Sequence, residues 1–209
     1  MNVASPGRLL VATTNVGKLR EIRDILGGLE LTLVTLADHT PIAEPEETGS
    51  TFVENARIKA LAYAAATGEL TVAEDSGLEI DALDGEPGVR SARFNGESYP
   101  EKFATIRRML AERGVDGSTA RFVCSLVLAR GDQLIWETRG VVEGRLAHPA
   151  RGDRGFGYDP IFYYPPYGCT LAEVDGDRKA AVSHRGAAFR AFRDYLTGPA
   201  GPLGSGATS

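Results

Sequence analysis

The sequence lacks long apolar runs, has few cysteines and carries no excess of positive charge. No stretch approaches the roughly 20 apolar residues of a membrane-spanning helix, so we expect no membrane partner. The 2 cysteines, Cys124 and Cys169, lie far apart and outside any metal-binding spacing, which favours free thiols over a disulfide or a zinc site. The net charge of -5 argues against nucleic-acid binding, which usually requires a basic face.

The first ten residues, MNVASPGRLL, also lack the features of a targeting segment. They contain neither the apolar core of a secretion signal nor an amphipathic transit pattern. We therefore expect a cytoplasmic protein. The 209 residues are 43% hydrophobic and 24% charged, which is typical of one large globular domain or of two closely packed lobes.

Lysine is scarce in this chain, and arginine supplies most of its 23 basic residues. A lysine that is kept against such a bias can indicate a site that requires a compact ammonium group. Chance is the alternative explanation for each one. The lysines are Lys18, Lys59, Lys102 and Lys179.

The order of apolar patterns predicts an α/β protein. Residues 8–15 have the pattern of a buried strand that ends in a polar turn, and residues 17–28 that of an amphipathic helix stopped by two glycines. Residues 31–36 predict a second strand. Such a β-α-β order is typical of two parallel strands joined by a crossover helix.

The rest of the chain extends this pattern into a mixed, twisted central sheet flanked by helices, in two lobes with a cleft between them. We expect residues 1–196 to form one α/β domain and residues 197–209 a disordered tail. The turn-rich segment 81–100 predicts a long functional loop. The remaining predicted elements are a helix over 51–68 with a capping box of Thr51 and Glu54, a strand from Leu70, a helix over 101–114, two strands over 120–147 that turn at Gly131–Asp132, and a last helix over 183–196.

Two predicted helices begin with cations, which the positive end of a helix dipole disfavours. Lys18 stands at the start of the first helix, and His184 and Arg185 stand at the start of the last. A bound phosphate would offset this cost, because helix N–H groups and a cation together attract anions. A solvated surface cation is the alternative in each case. The first helix start adds further donors on the side chains of Thr13, Thr14 and Asn15.

Acidic residues cluster at 44–47 and at Glu74–Asp75, at the end of a strand. A magnesium ion would offset the repulsion within the second cluster, because it takes one or two carboxylates and bridges to phosphates. Neighbouring side chains of a strand point to opposite faces, so the pair reaches one ion only if the chain turns, as Ser76–Gly77 predicts. Otherwise the two have different roles, one on the metal and one as a general base. For the cluster at 44–47 taken alone, a solvated loop is the preferred interpretation.

Several segments, in this order, resemble the inosine/xanthosine triphosphate pyrophosphatase family over residues 8–196. The resemblance implies hydrolysis of ITP, dITP and XTP to the monophosphate and pyrophosphate with Mg²⁺, by a homodimer with an elongated α/β fold and a central cleft. The segments are ATTNVGK (12–18), EETGSTFVENARIKA (46–60), AEDSGLEIDALDGEPGVRSARF (73–94), GFGYDPIF (155–162) and AVSHRG (181–186).

The resemblance also implies a role for each matching residue. Asp75 corresponds to the general base, which also approaches the metal. The implied metal ligands are Glu47 and Asp75, with Glu74 as a further candidate. The triphosphate contacts are Thr13, Asn15, Lys18 and Lys59, and Ser76 is a substrate contact. The nucleoside set comprises Phe156, Gly157, Tyr158, Asp159, Lys179, His184 and Arg185.

This resemblance leads to an expectation about base selection. Phe156 would stack on the purine, and Arg185 or His184 would donate to the 6-carbonyl of hypoxanthine or xanthine, where adenine has an amine. Two alternatives stay open. The enzyme could act on other modified bases, including pyrimidines, or the protein could be a nucleotide sensor without catalysis, which would not need Asp75 and Glu47.

Overall fold

The computed structural model describes residues 7–204, and within this range helices flank a seven-stranded sheet. The sheet order is β2-β1-β3-β4-β5-β6-β7. The strands are β1 (Gly7–Val11), β2 (Leu31–Thr35), β3 (Leu70–Ile80), β4 (Thr119–Arg130), β5 (Gln133–Leu146), β6 (Phe162–Tyr164) and β7 (Cys169–Thr170). The helices are α1 (Val16–Leu26), α2 (Phe52–Thr67), α3 (Tyr99–Glu112), α4 (Gly176–Val182) and α5 (His184–Thr197).

Strand directions confirm the predicted mixed α/β sheet. β1 pairs in parallel with both β2 and β3, so the opening β-α-β unit is present. β6 pairs antiparallel with β5 and with β7. The predicted turn at Gly131–Asp132 joins β4 to β5, with Gly131 in the left-handed region at φ +59.

The chain separates into two compact units. The first unit contains the residues up to Asp75, the segment Ser125–Arg139 and the residues from Gly186 onwards. The second unit contains Ser76–Cys124 and Gly140–Arg185. The prediction that residues 1–196 form one domain stays a prediction.

Each unit has a buried apolar cluster of its own. In the first unit, small residues of α2 pack against the strands, with Ala56, Ala60 and Ala64 all fully buried. This close packing brings α2, and with it Lys59, against the sheet. In the second unit the cluster is built from larger side chains, among them Leu78, Ile106 and Phe162.

Local signals explain where the helices begin. Thr51 caps α2, and its hydroxyl accepts from the Glu54 N–H at 3.3 Å, which confirms the predicted capping box. A second capping box, Ser98 with Glu101, begins α3 two residues before the predicted start. The short helix α4 was not predicted from the sequence, because its seven residues span only two turns, too few to show a helical period.

The predicted turn at Ser76–Gly77 is wrong, because β3 continues without interruption to Ile80. Gly77 meets a packing requirement instead. A Cβ atom there would lie 2.3 Å from Ser91 Oγ and 2.7 Å from the Gly88 carbonyl oxygen. The Leu78 N–H donates to the same Ser91 Oγ at 2.9 Å, so the glycine allows the segment at 88–91 to lie directly on the strand.

The segment 81–100, predicted as a long functional loop, is partly helical. It includes two 3₁₀ segments, Asp81–Leu83 and Gly88–Arg93. After Thr197 the chain forms turns as far as 204, where the Leu203 N–H donates to the Leu196 carbonyl oxygen at 2.9 Å. Residues 205–209 lie outside the described residues, so the disordered tail stays a prediction.

Candidate functional site

The loop between β1 and α1 is held by its own side chains. Asn15 caps α1, and its Oδ1 accepts from the Lys18 N–H at 3.1 Å. The Thr13 hydroxyl accepts from the Asn15 N–H at 3.3 Å, and Thr14 is exposed. The first turn of α1 contains no acidic residue, so the helix N-terminus keeps its positive potential.

Lys18 does not extend into solvent but reaches β3. Its Nζ lies 3.2 Å from Glu74 Oε1, and the side chains of Lys18 and Glu74 are 19% and 2% exposed. A carboxylate this deeply buried requires a charged partner, because an unpaired ion in the interior is very costly. Glu74 is therefore the residue that draws Lys18 back toward the sheet.

Asp75, the next residue of β3, has a different set of partners. Its Oδ1 lies 3.4 Å from Lys59 Nζ, and its Oδ2 accepts from Asn55 Nδ2 at 3.2 Å. Lys59 Nζ also contacts Glu47 Oε1 at 2.6 Å. The strand alternation thus gives the adjacent carboxylates different partners, and the roles expected for them from the sequence stay predictions.

Burial and charge set the proton affinities of this cluster. Burial is the main cause that raises the pKa of the Asp75 carboxyl, and the Glu47 charge adds to it, against the opposing effects of Lys59 and Asn55. For Lys59, burial alone would lower the pKa, but the charges of Asp75 and Glu47 outweigh it and the pKa is raised. Lys59 therefore stays an ammonium ion, and Asp75 is a better proton acceptor than an ordinary aspartate.

The residues present fit a magnesium ion of the kind that binds together with a substrate. Among residues 7–204 no group of three or more His, Cys, Asp or Glu side chains forms a metal cage. Glu47 and Asp75 nevertheless both lie within 3.4 Å of one ammonium nitrogen. Two carboxylates are a normal protein contribution to a Mg²⁺ ion, which keeps waters and binds substrate phosphates as well.

In the second unit, Asp159 organises the segment that was predicted to recognise a nucleoside. Its Oδ2 accepts from the Phe156 N–H at 2.8 Å and from Lys179 Nζ at 2.6 Å. The Asp159 and Lys179 side chains are only 4% and 6% exposed. Gly155 makes this turn possible, because it has φ +71 and a Cβ there would lie 2.2 Å from Asp159 Oδ2.

The ring of Phe156 lies within reach of two cations. Lys179 Nζ is 4.3 Å and Arg185 Cζ is 5.6 Å from the ring centroid, distances at which the ring attracts positive charge. The Arg185 Nη2 donates to Ser76 Oγ at 3.1 Å. Ser76, Phe156, Lys179 and Arg185 therefore form a connected set in the second unit.

Three other residues of the predicted nucleoside set have the following contacts within the second unit. His184 stacks on Phe122 with ring centroids 4.9 Å apart. The Tyr158 hydroxyl donates to the Ser91 carbonyl oxygen at 2.8 Å, and its ring meets Tyr99 edge-on at 5.3 Å. Gly157, at φ +68, lies beside the same Tyr99 ring. The contacts of Tyr158 and Gly157 hold the segment that contains Phe156, and their role toward a nucleoside stays a prediction.

Sequence reasoning missed Asn55, which is 1% exposed and bonded to Asp75. A signal was present, because Asn55 and Lys59 are four residues apart on α2 and therefore share a helix face. A buried asparagine on the same face as a predicted phosphate-binding lysine indicates a role in the same site.

The fold and these contacts define a class: an α/β protein with buried carboxylate–lysine pairs and a capped helix N-terminus. The chain belongs to the Ham1 family, whose model matches residues 9–195. It is 44% identical over 192 residues to a dITP/XTP pyrophosphatase of Exiguobacterium sibiricum, covering 91% of this chain and 97% of the relative. It is 46% identical over 195 residues to a dITP/XTP pyrophosphatase of Thermus thermophilus, covering 92% and 93%.

Solved structures show the same fold. A HAM1 protein from Coxiella burnetii is 38% identical and superposes with a TM-score of 0.86, over 91% of this chain and 98% of the other. The Ham1 protein of Staphylococcus aureus is 36% identical with a TM-score of 0.81, over 90% and 97%. These matches confirm the family resemblance and the mixed α/β fold.

Proposed function

We propose that this protein hydrolyses ITP, dITP and XTP to the nucleoside monophosphate and pyrophosphate. The observation that carries the proposal is the buried Asp75, held by Lys59 on one carboxylate oxygen and by Asn55 on the other. Relatives at 44% and 46% identity bear the name dITP/XTP pyrophosphatase. The reaction removes altered purine nucleotides from the nucleotide pool.

Residues of the first unit act on the triphosphate. The N–H groups at the start of α1, with Lys18, bind phosphate oxygens, and Lys59 neutralises the charge that develops on the leaving pyrophosphate. Asp75 accepts a proton from the water that attacks the α-phosphorus, because it is a buried carboxylate that Lys59 and Asn55 hold at its two oxygens. Thr13, Thr14 and Asn15 complete the phosphate-binding loop.

Glu47 and Asp75 would hold a Mg²⁺ ion, with Glu74 as the adjacent candidate. When bound, this ion supplies positive charge to the phosphate oxygens and lowers the energy of the developing anion. Glu74 is the weakest of the three candidates, because its carboxylate contacts a different cation, Lys18, whereas Glu47 and Asp75 both contact Lys59.

Residues of the second unit select the base. Phe156 offers a half-buried ring on which a purine can stack. The Arg185 guanidinium can only donate hydrogen bonds, and it is 2% exposed, so it favours a 6-carbonyl and opposes the 6-amine of adenine. Ser76 adds a polar atom to this set, His184 lies stacked on Phe122 beside Arg185 in the chain, and the ion pair of Asp159 with Lys179 fixes the loop that includes Gly157 and Tyr158.

The family resemblance also leads us to propose a homodimer that works in the cytoplasm, without nucleic acid or a membrane as partner. Its chemistry needs only a soluble nucleotide and a metal ion. Among residues 7–204 no helix has both the length and the apolar character needed to span a bilayer.

The test is an assay of the products formed from ITP, dITP, XTP, GTP, ATP and modified pyrimidine triphosphates. With Mg²⁺, we expect pyrophosphate and monophosphate from the first three, and at least ~100-fold lower kcat/KM for ATP because its amine leaves a buried donor unmatched. The Asp75→Asn variant should lose ~100-fold or more in kcat. Orthophosphate as the first product, or preference for a pyrimidine, would contradict the proposal.

A further inference from the structure

Asn55 joins two parts of the first unit through the two ends of one amide group. Its Nδ2 donates to Asp75 Oδ2 at 3.2 Å, while its Oδ1 accepts from the Gly49 N–H at 2.8 Å. The residue is 1% exposed. The bond to Asp75 is therefore shielded from water and the bond from Gly49 partly so, which makes both of them costly to lose.

The orientation of this amide is determined by its surroundings. A backbone N–H can only donate, so the oxygen of the Asn55 side chain must face Gly49. The NH₂ group must then face Asp75. The amide cannot turn over without placing two donors against each other at Gly49 and two acceptors against each other at Asp75.

Close packing keeps the loop at this distance. A Cβ atom on Gly49 would lie 2.7 Å from Asn55 Oδ1 and 2.6 Å from Glu54 Cβ, so only glycine allows the approach. Glu47, two residues earlier in the same loop, contacts Lys59 at 2.6 Å. Asn55 thus connects the loop that contains Glu47 to the carboxylate of Asp75.

The Asp75 carboxylate has a separate donor on each oxygen. Lys59 Nζ lies 3.4 Å from Oδ1, and Asn55 Nδ2 lies 3.2 Å from Oδ2. Two donors on two oxygens define the plane of the carboxylate, whereas Lys59 alone, on a flexible side chain, would leave that plane free to rotate about the last torsion. This torsion decides where the proton-accepting lone pair points.

We infer that Asn55 is a positioning residue, which fixes the plane of the Asp75 carboxylate toward the attacking water and couples it to the loop of Glu47. The inference rests on the proposed function for the reaction in which Asp75 acts. Asn55 acts through Asp75 and has no contact with Thr13 or Lys18 in the described hydrogen bonds and ion pairs. Its removal should therefore slow the chemical step more than it weakens nucleotide binding.

The kinetic experiment uses the full chain, dITP and Mg²⁺, with the variants Asn55→Ala and Asn55→Asp. Asn55→Asp keeps an acceptor for Gly49 but replaces the donor that faces Asp75. We expect both variants to lose ~100-fold in kcat, since small displacements of a catalytic group have effects of this size. KM should stay within about threefold, as for a group that acts only in the transition state.

Glu54→Ala is the matched control, because Glu54 anchors the same loop without touching Asp75. Its Oε2 accepts from the Ser50 N–H at 2.7 Å and from the Thr51 N–H at 3.1 Å. We expect a lower midpoint of thermal unfolding but a kcat within about threefold of wild type. An equal loss of kcat in Glu54→Ala, or a wild-type kcat in Asn55→Asp, would overturn the inference.

A second readout does not depend on activity. In a crystal structure of Asn55→Ala we expect the Asp75 carboxylate to be rotated or to occupy more than one orientation. An Asp75 that keeps its orientation and a single conformer would overturn the positioning role. A wild-type protein that releases no pyrophosphate would instead contradict the proposed function, so the two failures are distinguishable.

Discussion

At the scale of single residues, Glu74 and Asp75 show how one strand gives neighbouring side chains different surroundings. Glu74 contacts Lys18, and Asp75 contacts Lys59 and Asn55. The two acids therefore contact different lysines, although the Glu74 charge also acts on Lys59 and the Lys18 charge on Asp75. The two lysines together balance the carboxylates, which explains how two adjacent acids stay buried in one strand.

The contacts of Lys59 predict how strongly the protein binds a metal ion. Its ammonium group contacts both Glu47 and Asp75. It therefore already balances negative charge that would otherwise attract a divalent ion. In the absence of nucleotide, we expect Lys59→Met to bind Mn²⁺ about tenfold more tightly than wild type, because two carboxylates lose a competing cation. Isothermal titration calorimetry with Mn²⁺ alone measures this difference.

Lys18→Met is the control for this measurement, because it removes the same charge from a residue that contacts Glu74 instead. Its gain in Mn²⁺ affinity should be clearly smaller. A Lys59→Met protein that binds Mn²⁺ no better than wild type, or no better than Lys18→Met, would show that Lys59 does not shield these carboxylates.

At the scale of elements, Gly77 predicts a local limit on side-chain size in β3. The Gly77→Ala change places a methyl group 2.3 Å from Ser91 Oγ and 2.7 Å from the Gly88 carbonyl oxygen. We expect the free energy of unfolding to fall by about 2 kcal/mol, as for other overpacked positions. Gly117→Ala is the matched control in the same unit, because nothing lies within 4 Å of its added Cβ, and urea unfolding of both variants measures the difference.

The capping box of α3 predicts a pH dependence of stability. Hydrogen bonds from the Ser98 N–H, the Ser98 hydroxyl and the Glu97 N–H lower the pKa of Glu101 below its ordinary value of 4.5. Stability from this shift is fully present above the unfolded pKa and is lost as the pH falls through the lower folded pKa. The stability advantage of wild type over Glu101→Gln should therefore shrink below pH 4.5.

Urea unfolding of wild type and Glu101→Gln at several pH values measures this difference. Only the difference between the two proteins reports on Glu101, since the other acids titrate in both. A difference that stays constant from neutral pH to pH 3 would mean that the capping carboxylate has an ordinary pKa.

At the scale of the whole molecule, the proposed homodimer predicts that the particle in solution has twice the mass of one chain. A chain of 22.3 kDa should elute and scatter light as a particle of twice that mass at micromolar concentration. Light scattering during size-exclusion chromatography makes the measurement. A particle with the mass of a single chain would contradict the proposed assembly but not the proposed reaction.

Much of the fold and part of the site could be predicted from the sequence, because those features depend on local patterns. The capping box of α2, the glycines that follow α1 and the hairpin turn each have a local signature. The motifs selected Lys18, Lys59 and Asp75, whose roles in the reaction stay predictions. Contacts between distant segments could not be predicted. The space that Gly77 leaves for Ser91, and the bond from Asn55 to Asp75, depend on residues 14 and 20 positions away.

The alternation of side chains along β3 has a consequence for how this chain can change its length. One inserted residue before Glu74 would turn the glutamate toward the partners of Asp75, because a shift by one position reverses the face of every side chain beyond it. A substitution within Leu70–Asp75 changes the surroundings of one side chain. A single insertion or deletion there moves both carboxylates to the opposite faces of the strand at once. During evolution β3 should therefore tolerate substitutions but keep its length, and length variants of this protein should have their insertions in its loops.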